Sequence, residues 1–386
     1  MTSPLVTRMG GFGTSIFTEM SALARQHDAI NLGQGFPDSD TPDELKQVAV
    51  RAIQDGQNQY PPARGMPILR EAIAAHQERF YGLEVHPENE VLVTVGATEA
   101  LAACVLALVE RGDEVLTFEP TYDAYPAAIA LAGGVHRPVR LNLADNSFDP
   151  AELARSVGPR ARMIVLNNPH NPSGTVFTVS ELEQIAALAR ERDLIVVSDE
   201  VYEHLVFDGA RHIPMASLPG MAQRTLTISS GGKTFSATGW KVGWVHGPPE
   251  LISAVATVKQ FVTFTGAAAF QPAIAHGLGL PDAFFDALRA SMQRRRDLLV
   301  AGLGDIGVAV RPTQGSYFVI GDVSTLGVTD AETWCRELPK AVGVAAVPVA
   351  AFCLHPDGAR TLVRFAFCKS EASLREGIVR LRALAR

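Results

Sequence analysis

Between residues 91 and 247 the chain repeats one pattern: a short apolar, β-rich run, a small or polar residue, and then a stretch with helical character. The runs are VLVTV from Val91, EVLTFE from Glu114, MIVLNN from Met163, LIVVSDE from Leu194, TLTISS from Thr225 and VGWVHG from Val242. Runs this apolar suit strands covered on both faces, and the spacers have room for crossover helices, so the rhythm predicts an α/β fold built on a mostly parallel sheet. Ligands of open parallel sheets collect beyond the carboxyl ends of the strands, which makes the residues after each run the ones to examine. Those ends carry Gly96, Ala97 and Thr98, then Tyr122, Asn171, Asp199 and Lys233. Beyond about residue 270 the pattern changes to a long helical stretch followed by strand-like SYFVIGD from Ser316, GVAAVPV from Gly343 and TLVRFAF from Thr361, which reads as a smaller α+β unit. With 386 residues, 47% of them hydrophobic, the chain has the material for two domains.

Charge narrows the function. The formal net charge is -7 and no run of Lys or Arg is long enough to neutralise a phosphate backbone, which argues against a nucleic-acid partner. Arg294, Arg295 and Arg296 read as a solvated helix face. The N-terminal MTSPLVTR lacks a signal-peptide core and no apolar run is of bilayer-spanning length, so a cytoplasmic enzyme without a membrane partner is expected. Cys104, Cys335, Cys353 and Cys368 are scattered, with neither Cys-x-x-Cys spacing nor a paired-histidine motif, so free buried thiols and no metal site are expected.

The segment SSGGKTFSATGWKVGW, from Ser229, contains Gly-Lys-Thr in a glycine-rich turn and so admits two kinds of phosphate site. A nucleotide-binding loop needs a glycine five positions before the Gly of its Gly-Lys-Thr, so that consecutive N–H groups wrap the phosphates. That position is Thr227, inside a β-branched run that reads as strand. The alternative is that Lys233 carries a cofactor.

Taken singly, the other strand-end residues have plain explanations. Gly96-Ala97-Thr98 opens a helix whose N–H groups favour an anion, yet it also reads as an ordinary strand-to-helix turn. Asp199, with Tyr202 three residues on, fits a helix cap as well as a charge that holds a pyridine nitrogen protonated. Asn171, in NNPHNPSG from Asn167, is a turn former. Tyr122, in EPTYDAY from Glu119, is a packing aromatic or a face on which a planar cofactor stacks. Arg364, in TLVRFAF, shares a face with Leu362 and Ala366 while Val363, Phe365 and Phe367 occupy the other, so both faces are apolar and the arginine needs an anionic partner, either a fixed Asp or Glu or a substrate.

Together, NLGQGFPD from Asn31, NQYPPARGMPILREAI from Asn58, the Gly-Ala-Thr turn, NPSG from Asn171, SDEVY from Ser198, SGGK from Ser230 and TLVRFAF from Thr361 resemble the class I, fold type I pyridoxal-phosphate aminotransferases over nearly the whole chain. Lys241, where the wider class usually has Arg, and TGWKVGW point to the kynurenine, glutamine and methionine aminotransferase-like subgroup, with the bacterial N-succinyldiaminopimelate aminotransferases as relatives. The resemblance implies a large domain over residues 36–271, a small C-terminal domain over 272–386, and an N-terminal arm of residues 1–35 that joins the small domain. It implies Lys233 as the Schiff-base lysine, Asp199 as the pyridinium partner, and Asn171 and Tyr202 as donors to the phenolic oxygen. Tyr122 becomes the ring-stacking residue, and Gly96, Ala97, Thr98, Ser230 and Lys241 the phosphate cup, with Tyr60 entering from a second subunit of a homodimer. Arg364 becomes the substrate α-carboxylate grip, completed by Asn171 and the backbone of Gly35, while Phe17 and Phe264 line an aromatic substrate pocket and Arg64 is left without an assigned role.

Transamination removes a weakly acidic Cα proton and returns a proton to the cofactor's C4′ carbon, so it needs an electron sink and a mobile base. A lysine desolvated near other cations has its basicity lowered enough to serve as that base. The implied activity is amino transfer from an L-α-amino acid (methionine, glutamine, aromatic or kynurenine-like) to a 2-oxo acid, by ping-pong kinetics. The alternatives are an N-succinyldiaminopimelate aminotransferase or a cysteine-conjugate β-lyase on the same fold.

Overall fold

The computed structural model describes residues 5–311 and 313–385. Seven strands make the large sheet: β1 (Val91–Thr94), β2 (Glu114–Glu119), β3 (Val135–Arg140), β4 (Ala161–Asn167), β5 (Ile195–Asp199), β6 (Thr225–Ser230) and β7 (Gly243–His246). Their order across the sheet is β1-β7-β6-β5-β4-β2-β3. All neighbours are parallel except that β7 runs antiparallel to both β1 and β6. Alternation along the central strands divides the core in two: Met163, Val165, Ile195 and Val197 face one layer with helix Gly96–Leu108, and Ile164, Leu166 and Val196 face the other with helix Val179–Glu191. That second helix begins at a capping box, Thr178 with Glu181, which satisfies two N–H groups at its start.

β3 is a strand the sequence pattern does not announce. Its residues, VHRPVR, are mostly exposed or half-exposed, and its proline is tolerated because the strand lies at the sheet edge and pairs on one side.

The smaller sheet consists of β8 (Ala309–Val310), β9 (Phe318–Asp322), β10 (Val347–Pro348) and β11 (Leu362–Ala366), antiparallel in the order β10-β11-β9-β8. Arg364 lies opposite Ile320 of β9 and Val347 of β10, in the middle of this sheet. The N-terminal helix Ile16–Gln26 packs with these elements, and Ile30–Asn31 pairs in parallel with Val344–Ala345, so the start of the chain is stitched to its C-terminal third. Helix Gln271–Leu278, on the far side of the expected 271/272 boundary, packs against helices Asp43–Gln54 and Pro67–Tyr81.

Of the arginine cluster, Arg294 is exposed as expected, but Arg296 is not. Arg296 is 7% exposed, its guanidinium lies 5.1 Å from the Phe207 ring and it pairs with Asp208 and Asp297, because helix Asp282–Asp305 turns that residue inward. Cys104, Cys335 and Cys368 are buried free thiols, and Cys353 is free and half-buried. No described helix is long and apolar enough to cross a membrane.

Candidate active site

A cavity of about 300 Å³ opens at the carboxyl ends of β4, β5 and β6, between the large sheet and the smaller one. Phe17, Gly35, Tyr122, Asn171, Tyr202 and Arg364 line it together with Asp199, Ser230, Lys233, Lys241 and the Gly96-Ala97-Thr98 turn. Tyr60 and Phe264, expected to serve the neighbouring subunit's site, do not line this chain's own cavity, nor does Arg64, which had no assigned role.

Lys233 is placed by the one-turn helix Gly231–Thr234 that follows β6 directly, with the Ser230 hydroxyl accepting from the Gly232 N–H. Its Nζ donates to the Tyr317 hydroxyl at 2.9 Å and reaches the Gly35 carbonyl at 3.5 Å. Burial holds the Lys233 ammonium below the ordinary lysine range; the charges of Arg364 and Lys241 act in the same direction, while Cys368 and Asp199 act against it. A lysine so destabilised as a cation is prepared to act as a neutral base.

Asp199 ends β5, beside the strand that leads to Lys233. Burial pushes its carboxyl up to about 6, opposed by a hydrogen bond from the Tyr125 hydroxyl at 2.7 Å and one from the Val201 N–H at 3.3 Å. It caps no helix; its oxygens are held by a tyrosine and a turn at the cavity wall. Tyr125 also meets Tyr122 edge-on, with ring centroids 5.6 Å apart, so a single side chain steadies both the carboxylate and the aromatic face. Tyr122's own hydroxyl is pushed up to about 12, chiefly by burial.

The end of the cavity at Gly96 and Lys241 is built by close backbone approach. Gly96 has φ +77°, and a Cβ there would lie 2.9 Å from Lys241 Nζ; a Cβ on Gly243 would lie 2.5 Å from the Gly96 carbonyl carbon. Helix Gly96–Leu108 has no side-chain cap, which leaves the N–H groups of its first turn for a ligand. Lys241, at φ +54°, adopts the left-handed conformation, a strained choice for a side chain of this size that brings its ammonium to the turn.

The opposite end is organised by Arg364, which is 1% exposed. Its Nη1 donates to Asn171 Oδ1 at 3.0 Å and its Nη2 to the Gly33 carbonyl at 2.6 Å. Gly35, expected to help hold the substrate carboxylate through its backbone, lines the cavity, and its carbonyl accepts from the Tyr317 hydroxyl; the carbonyl that meets the guanidinium is that of Gly33. Because Asn171 presents its oxygen to Arg364, its amide NH₂ is left to face the cavity, and the Asn167 side chain fixes the turn by accepting from the Asn171 N–H at 2.7 Å. Tyr202 is buried and meets Tyr317 edge-on at 5.0 Å.

Sequence reading missed Tyr125 and Tyr317. Tyr125 sits three residues after Tyr122 at the start of helix Ala124–Ala132, a spacing that puts two residues on one side of a helical turn, and that was the available signal. Nothing local marks Tyr317. The fold also gathers His76, Glu203 and His204, all buried, with ligand-type atoms within 4.8 Å of one another. The two imidazole Nε2 atoms are 2.8 Å apart and Glu203 accepts from the Ser229 hydroxyl at 2.6 Å; the distance in sequence from His76 to the Glu203-His204 pair hides the group from any spacing rule.

A family model described as "Aminotransferase class I and II" matches residues 27–381. The chain belongs to this family. It is 50% identical to the "Probable N-succinyldiaminopimelate aminotransferase DapC" of Mycobacterium tuberculosis, covering 98% of each chain. It is 39% identical to the methionine aminotransferase of Escherichia coli, covering 99% of each, and 38% identical to rat (Rattus norvegicus) kynurenine--oxoglutarate transaminase 1, covering 97% of this chain and 96% of that one. The solved structure of N-succinyldiaminopimelate aminotransferase from Mycobacterium tuberculosis superposes with a TM-score of 0.97 at 50% identity, over 98% of this chain and 100% of that one. This aminotransferase therefore has the fold of the type I pyridoxal-phosphate transferases, and it is an enzyme, a transaminase.

Proposed function

We propose that this aminotransferase holds pyridoxal phosphate in the cavity and moves the amino group of an L-α-amino acid to a 2-oxo acid in two half-reactions. The observation that carries the reading is convergence: Lys233, Asp199 and Arg364, from three distant segments, face one cavity of about 300 Å³. The residues present fit the cofactor. Ala97, Thr98, Ser230 and Lys241 would receive its phosphate, Tyr122 would stack on its ring, and the Asn171 amide and Tyr202 hydroxyl would meet its phenolic oxygen. Asp199 would hold a proton at the ring nitrogen. When bound, the cofactor supplies an electron sink for the charge left as the Cα proton departs. Lys233 Nζ takes and returns that proton, and Arg364 fixes the substrate by its α-carboxylate, the one group that every donor and acceptor shares.

For the substrate, Phe17 in the cavity wall and relatives named for methionine and kynurenine support an unbranched or aromatic side chain. The 50% identical relative supports a second reading, N-succinyldiaminopimelate as amino donor. Tyr60 is 82% exposed and packs edge-on with the exposed Phe264 at 5.4 Å, which supports a homodimer in which these two rings complete the partner's site. Sedimentation that finds a fully active monomer would exclude shared sites. The function is tested by incubating the pigmented protein with a panel of amino donors and 2-oxo acids. Keto-acid exchange without stoichiometric ammonia or pyruvate release is expected; release without exchange would make it a lyase, and neither activity with any donor would remove the proposal.

A further inference from the structure

A guanidinium removed from water ordinarily pairs with a carboxylate. Arg364 does not. Its two hydrogen-bond acceptors among the described residues, Asn171 Oδ1 and the Gly33 carbonyl, are neutral, and its Nε–H is buried without an acceptor. Asp123, partly buried nearby, feels the Arg364 charge but makes no hydrogen bond to it. What surrounds the guanidinium instead is aromatic: its central carbon lies 4.0 Å from the ring centroid of Phe318, 4.9 Å from that of Phe352 and 5.0 Å from that of Phe17. The three rings come from β9, from the turn Val349–Phe352 and from helix Ile16–Gln26. Phe17 and Phe352 also meet each other edge-on at 5.5 Å, so they form a connected wall.

Ring faces attract a cation through their quadrupole, with most effect where water is excluded, and they offer no oxygen that competes for its N–H groups. A fixed Asp or Glu would stabilise the arginine more strongly but would have to be displaced by each incoming substrate. We propose that Phe17, Phe318 and Phe352 form an aromatic cage that stands in for a counter-ion, keeping the Arg364 guanidinium oriented and its remaining N–H groups free for the substrate carboxylate. The inference rests on the reading of Arg364 as the carboxylate grip, and it makes the three phenylalanines positioning residues.

The test uses the holoenzyme and separates binding from turnover. Phe318→Leu keeps apolar bulk but removes the ring face; KM for donor and acceptor should rise together by about ten- to thirty-fold, the size of a desolvated cation–π contact. The inhibition constant of a simple monocarboxylate, propionate, should rise by the same factor, with kcat and the visible absorption of the cofactor little changed. Phe17→Leu, at the more exposed ring, should show the same pattern at about two- to five-fold, and Phe17→Tyr should restore the original KM. If Phe318→Leu fails to fold, the Phe17 pair decides by itself. Folded leucine variants with unchanged KM and propionate inhibition, alongside an Arg364→Lys variant that binds both substrates poorly, would overturn the cage while sparing the carboxylate grip. An Arg364→Lys variant that binds both normally would instead remove the grip itself.

Discussion

The two ends of the cavity solve opposite electrostatic problems. At the Lys233 end, charges of both signs are present in the protein: Asp199 is buried against Tyr125, and the Lys233 ammonium is held below the ordinary lysine range by burial, with smaller contributions from the Arg364 and Lys241 charges. At the Arg364 end, among the described residues, there is one cation with three ring faces and no carboxylate in hydrogen-bond contact with it. The difference teaches what each end awaits. On the proposed function, the first end would receive a group that brings an anion and a basic ring nitrogen and stays, and the second an anion that comes and goes with every half-reaction.

The largest effect that would sharpen this contrast is at the resident end. Lys233→Ala should lower kcat by about 10⁴-fold or more, since both the covalent anchor and the proton carrier are lost; turnover within a hundred-fold of the parent would break the assignment. At the other end, Arg364→Lys should raise KM for donor and acceptor by about 30- to 100-fold alike, because an ammonium loses the paired N–H geometry, while leaving the cofactor's visible absorption in place. Unequal losses would show that the two substrates are gripped by different groups. Tyr125→Phe is expected to be milder. Removing its hydroxyl takes away the side-chain hydrogen bond that opposes burial at Asp199, so that carboxyl, already near 6, should titrate higher in a carbon-13 NMR titration. A titration midpoint unchanged or lowered would mean that Tyr125 does not tune it.

The smallest effect belongs to a control outside both ends. His246, in β7, is buried, and burial lowers its imidazole to about 4, against about 6.5 in the unfolded chain. Between those values the unfolded chain takes a proton that the folded one refuses, so this group's contribution to stability falls away as pH drops from 6.5 toward 4. His246→Phe should therefore make the loss of stability across that window shallower by up to about 1.4 kcal/mol per pH unit, measured by urea unfolding, with activity unchanged. An identical pH slope would contradict it.

Legibility in the sequence follows the same division. The Lys233 end lies in contiguous segments at strand ends, where a run of β-branched residues marks the strand and the next few residues mark the site, so Gly96, Asp199, Ser230 and Lys233 were readable from pattern and family resemblance together. The Arg364 end is assembled from residues 17, 33, 171, 318, 352 and 364, of which only Asn171, after a strand, and Arg364, a charge inside an apolar strand, carried a local clue. Gly33 was not singled out because nothing in the sequence marks its carbonyl as the one that accepts from Arg364. β3 escaped because an edge strand with Arg and Pro lacks the apolar run of its buried neighbours. Arg296 looked like part of a solvated face because its inward rotation and its partner Asp208 are tertiary facts.

The most direct test of the central claim, that Lys233 is the residue that holds pyridoxal phosphate in this cavity, is borohydride reduction of the purified holoenzyme followed by peptide mapping. The account predicts that the visible absorption is lost on reduction and that a single modified peptide spans SSGGKTF with the added mass on Lys233. Modification of any other lysine, or none at all with the pigment intact, would contradict it.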